Sequence, residues 1–114
     1  MKKIVVIVDD WERLERIEDR LRIRFEVFGA PFGSMGVQLA VDENPDLIFI
    51  DLEFEDMNEE EALALIRAQK ALQNTPVLIV SHSETLSIQT TATVTQILKR
   101  PVSIDSIMRF FENY

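Results

Sequence analysis

The sequence predicts an α/β domain built on one parallel sheet. Short apolar runs without polar alternation recur along the chain, segments of helical period separate them, and 114 residues with 46% hydrophobic content suffice for one core. Runs of that kind are strands buried on both faces, and five strand-helix units can be counted. The first strand is Lys3 to Val8. The helix after it places Leu14, Ile17 and Leu21 on one face, with Glu12/Arg16 and Glu18/Arg22 spaced for i,i+4 pairs. Phe25 to Phe28 is a short second strand, followed by a turn at Gly29, Pro31 and Gly33. Val37 and Val41 then mark a short helix that stops before Pro45.

Leu47 to Ile50 is the third strand and delivers Asp51. Asn58 caps the next helix, with Glu59, Glu60 and Glu61 in its first turn, where the helix dipole favours negative charge, and Glu61 in the capping-box position. Ala62, Leu65, Ile66 and Leu72 form its expected buried stripe. Pro76 opens the fourth strand, Val77 to Val80, which ends at Ser81. The Thr-rich stretch from Ser83 to Gln96 has no clean apolar stripe, so the fourth helix is expected to be short or irregular. Thr95 to Lys99 is the fifth strand. Ser103 caps a last helix in which Ile104, Ile107, Met108 and Phe111 follow i, i+3, i+4, i+7.

The formal net charge of −8 opposes binding to a phosphate backbone or an anionic membrane, which requires clustered Lys and Arg. No cysteine is present, which removes disulfides and thiolate metal sites. Met1-Lys2-Lys3 before an apolar run imitates the start of a signal peptide, but two aspartates end the run at once. No stretch approaches the roughly 18 apolar residues of a membrane span. A cytoplasmic location is expected.

Asp9 and Asp10 close the first apolar run and Asp51 closes the third. If these runs lie side by side, three carboxylates meet at the carboxyl edge of the sheet, where open α/β folds bind ligands. Crowded carboxylates repel, and a bound cation relieves the repulsion. Oxygen-only ligands suit Mg²⁺, which also accepts phosphate oxygens. Aspartate also ends strands simply as a turn residue, and Ser81 would equally suit a cap or strand end.

Asp9-Asp10 after the first strand, Pro45 to Leu52 around the third, Ser81 ending the fourth and Arg100-Pro101 after the fifth together resemble the receiver domain of bacterial two-component response regulators, across residues 1–114. The resemblance implies a flavodoxin-like fold with sheet order 2-1-3-4-5 and helices on both faces. It implies Asp51 as phosphoacceptor and Mg²⁺ held by Asp9, Asp10, Asp51 and the Glu53 carbonyl. Ser81 and a cation after the fifth strand would bond the phosphoryl oxygens. A receiver promotes only its own phosphorylation and dephosphorylation, so it is not classed as an enzyme. Its expected partners are a histidine kinase or phosphotransfer protein and a downstream protein, with dimerisation through the last helix as another route of output; no output domain is expected within 1–114.

The family usually has Lys directly before the proline, and here Arg100 stands there with Lys99 one residue earlier. Arg100 is favoured for the role, because the bond before that proline is often cis in the family and fixes the register; a register shift would bring Lys99 instead. The loop from Asp51 to Asn58 lacks the family's proline at Glu55 and glycine at Glu59. His82 replaces a small residue, Ile97 replaces the aromatic of the fifth strand, and the segment from Ser81 to Pro101 is a few residues short. These departures support an alternative: a pseudo-receiver, an interaction module that keeps the fold without being phosphorylated. Trp11 is expected packed or half-exposed beside the acids, and Phe110 with Tyr114 is either an exposed patch or a frayed end.

Overall fold

The structure, a computed structural model, describes residues 1–53, 57–81, 96–99 and 102–114. The expected helix over the Thr-rich stretch, His82, Arg100, Pro101 and Glu55 lie outside the described residues. Along the chain come β1 (Lys3–Val8), α1 (Trp11–Leu21), β2 (Glu26–Ala30), α2 (Gly33–Glu43), β3 (Leu47–Asp51), α3 (Glu59–Arg67), a 3₁₀ turn (Lys70–Leu72), β4 (Val77–Ser81), β5 (Gln96–Lys99) and α4 (Ile104–Phe111). The strands form one sheet in the order β2-β1-β3-β4-β5, every pair parallel.

Strand alternation divides the core in two. On one face Ile4, Val6 and Val8 of β1 with Leu47 and Phe49 of β3 pack beneath Leu14, Ile17 and Leu21 of α1 and Ile107 and Phe111 of α4. Phe111 anchors this side, meeting the edges of Phe25 and Phe49 at centroid distances of 6.1 and 6.4 Å. On the other face Val5, Ile7, Ile48 and Ile50 pack against Ala40 of α2 and Ala62, Leu63 and Ile66 of α3. β1, β3 and β4 are buried along nearly their whole length, as their unbroken apolar runs require.

Two expectations, for β2 and α3, need correction. β2 runs through Gly29 to Ala30, so the turn begins later than the glycine suggested. α2 forms where Val37 and Val41 mark it, with Val37 packed on the core and Val41 exposed, and it comes closest to the sheet through Gly33, Gly36 and Ala40, with Gly36 so close to β1 that a Cβ there would run into Ile7. In α3 the buried apolar positions are Ala62, Leu63 and Ile66, while Leu65 faces out. Both expected caps form: Asn58 accepts the Glu61 N–H at 2.8 Å and Ser103 the Ser106 N–H at 3.1 Å. Phe110 and Tyr114 are part-buried, their rings tilted against each other at a centroid distance of 5.4 Å and packed on the α1/α4 core. No helix among the described residues is long and apolar enough to cross a membrane.

Candidate functional site

The register Val8↔Asp51 makes the ends of β1 and β3 neighbours, and the chain leaves them toward opposite sides of the sheet. A crevice at the carboxyl ends of strands is the general consequence of such a reversal. The Asp9 N–H donates to the Asp51 carbonyl at 3.4 Å, and the Asp9 Oδ2 accepts the Glu53 N–H at 2.8 Å. Asp9 is therefore tied to both the end of β3 and the loop that follows. Asp10 caps α1, its Oδ1 accepting the Arg13 N–H at 3.1 Å. That bond, with the Arg13 charge behind it, holds the Asp10 carboxyl below its ordinary value. Asp51 is 3% exposed.

Asp51 follows Leu47 and Phe49 at intervals of two, which assigns it to the α1/α4 face of the sheet. Waiting on that face is Arg13, in the first turn of α1. Its Nε lies 2.9 Å from Asp51 Oδ2, its Nη1 3.8 Å from Asp10 Oδ2 and its Nη2 3.6 Å from Glu53 Oε1. One planar guanidinium thus reaches carboxylates on β3, on the α1 cap and on the following loop, a task suited to a fork rather than a point charge. Sequence reasoning missed Arg13. It directly precedes Leu14 and stands four residues before Ile17, so it sits on the inward stripe of α1 at the end above the acids. That placement was the available signal.

Of the other expected site residues, Ser81 ends β4 and is 6% exposed. Lys99 ends β5 opposite Ser81 and is exposed. Because Leu98 packs on the α1/α4 core, Lys99 falls on the opposite side of the strand from the face Asp51 shares. Trp11, at 68% exposure, stands on the rim. The structure therefore brings Asp9, Asp10, Asp51 and Glu53 together and adds Arg13, while Ser81 and Lys99, paired in register, both lie on the other side of their strands from Val80 and Leu98.

The donor set is all oxygen, the chemistry of a hard divalent cation. Its arrangement is held by hydrogen bonds and by Arg13; among the described residues no three His, Cys, Asp or Glu side chains are grouped so that they could hold a metal ion as they stand.

A 2-1-3-4-5 parallel sheet with two aspartates after β1 and one ending β3 defines a class: this chain is a response regulator receiver domain, the signalling module of two-component systems. Among curated proteins it is similar to the cell cycle transcriptional regulator CtrA of Caulobacter vibrioides, 34% identical over 82 residues that cover 71% of this chain and 35% of the regulator. The chain thus matches about a third of that relative's length. Among solved structures, chemotaxis response regulator CheY4 of Vibrio cholerae superposes with a TM-score of 0.86 at 20% identity, over 99% of this chain and 98% of CheY4. The receiver domain of sensor histidine kinase PA1611 from Pseudomonas aeruginosa, solved with a magnesium ion in its active-site cleft, has a TM-score of 0.82 at 19% identity and covers 99% and 96% of the two chains. No family model matches the sequence.

Proposed function

We propose that the chain receives a phosphoryl group on Asp51 from a phosphohistidine of a histidine kinase or phosphotransfer protein, and that the change in charge alters its protein contacts. The observation that carries this reading is the adjacency of Asp9 and Asp51 at the β1/β3 crevice, with Asp51 buried. A carboxylate oxygen of Asp51 forms the new O–P bond as the donor's P–N bond breaks, and the imidazole leaves with the bonding pair and takes up a proton. Hydrolysis of the acyl phosphate restores the carboxylate. A divalent cation such as Mg²⁺, when bound, offsets the combined charge of Asp51 and the phosphoryl oxygens. Asp9, Asp10, Asp51 and the Glu53 carbonyl would hold it. The Ser81 hydroxyl donates to one phosphoryl oxygen, and Arg100 is the candidate cation for another.

Output passes to a protein partner or through pairing of two copies, since the acidic surface disfavours nucleic acid and anionic membrane. Incubation with Mg²⁺ and acetyl phosphate followed by intact mass measurement tests the reading. One added phosphoryl group on the wild type and none on Asp51→Asn is the expected result. No gain, or the same gain in both, would refute it.

One observation favours the second reading, a pseudo-receiver: Arg13 already offsets part of the acidic charge from within the chain. In that case neither the mass nor the Trp11 fluorescence responds to phosphodonor and Mg²⁺.

A further inference from the structure

We infer that Arg13 is a built-in counter-cation of the acidic edge, and that a divalent cation reaches Asp51 only by displacing it. The inference rests on the metal-binding reading above and adds a residue that sets how readily the metal enters. Three ion pairs support it: Asp51 at 2.9 Å, Glu53 at 3.6 Å and Asp10 at 3.8 Å, all from one guanidinium. The pair with Asp51 is the strongest, because that side chain is only 4% exposed and water screens it least. A doubly charged ion bound to Asp51 would stand within a few ångströms of the guanidinium, where like charges repel. The guanidinium must therefore leave as the metal arrives.

The structure offers it a place to go. Beside Arg13 and Asp51 a cavity of about 210 Å³ opens between α1 and α4, lined further by Arg16, Ile17, Val102, Ile104 and Ile107. Rotation about the side-chain torsions carries the head along this space while the aliphatic stem stays on apolar surface. Arg13 and the metal are then linked ligands of one site, and each lowers the other's occupancy by the same factor. Free chain remains closed on Arg13 at low metal concentration and opens as the concentration rises.

Isothermal calorimetry of Mg²⁺ binding to the full chain tests this without reference to phosphorylation. Arg13→Gln is expected to bind Mg²⁺ about tenfold more tightly than the wild type, a typical coupling between linked sites. Arg13→Lys, which keeps the charge but not the fork, is expected to fall between them. Thermal unfolding gives a second readout: Mg²⁺ raises the melting temperature of Arg13→Gln more than that of the wild type. Unchanged or weaker affinity in Arg13→Gln would overturn the competition while leaving the metal site standing. No binding by any of the three proteins would overturn both.

Discussion

The two faces of the sheet are packed to different tolerances. On the α2/α3 face the backbone of α2 descends to β1 through Gly36, so close to Ile7 that one methyl group cannot be added. On the α1/α4 face Phe111 packs between Phe25 and Phe49, and beside Arg13 and Asp51 that face holds an open cavity. The first arrangement leaves no slack above the middle of the sheet. The second leaves room for a charged side chain to move.

Removing the keystone of the looser face should have the largest effect. Phe111→Ala is expected to cost about 3–5 kcal/mol in urea unfolding, the usual range for a buried aromatic. Next comes Gly36→Ala on the tight face. The clash with Ile7 is worth about 1–3 kcal/mol, offset by about 1 kcal/mol from the better helix propensity of alanine, so a net loss of up to about 2 kcal/mol is expected. Val102→Leu is the matching enlargement beside the cavity and should change stability by less than about 0.5 kcal/mol. If Val102→Leu destabilised as much as Gly36→Ala, the two faces would not differ in slack.

The smallest effect concerns Glu18, whose carboxyl burial pushes above its ordinary value of 4.5, against a smaller opposite pull from Arg22. Below that ordinary value the carboxyl is protonated in folded and unfolded chains alike. As pH rises through the raised folded value, the folded state binds more protons than the unfolded state, and the stability associated with the group is lost. Thermal melts of Glu18→Gln should therefore gain on the wild type as pH increases across that window. A gain of the wild type over the variant would show that the Arg22 pair at 3.2 Å dominates instead.

β1, β3 and β4 were legible because strands buried on both faces write unbroken apolar runs, and the aspartates that close two of them were legible for the same reason. Val37 marks α2 and packs on the core, yet the fully buried positions of the helix are Gly33, Gly36 and Ala40, and close approach by small residues leaves no mark in a hydrophobic pattern. Leu65 faces water for a related reason: which apolar residues of a helix are buried depends on the neighbour, and here Leu63 won the place. Arg13 was overlooked because a charge on a helix reads first as a solvent-facing partner of other charges. Its inward position emerges only when the parity of Leu47, Phe49 and Asp51 is combined with the stripe of Leu14 and Ile17.

Among several clustered carboxylates, Asp51 is the one we propose accepts the phosphoryl group. Borohydride reduction of the chain after incubation with acetyl phosphate and Mg²⁺, followed by peptide mass mapping, tests it directly, because hydride converts the carbonyl of an acyl phosphate to an alcohol with loss of phosphate and marks the modified side chain. Reduction at Asp51 alone is the expected result. Reduction at Asp9, Asp10 or Glu53, or at no residue, would contradict it.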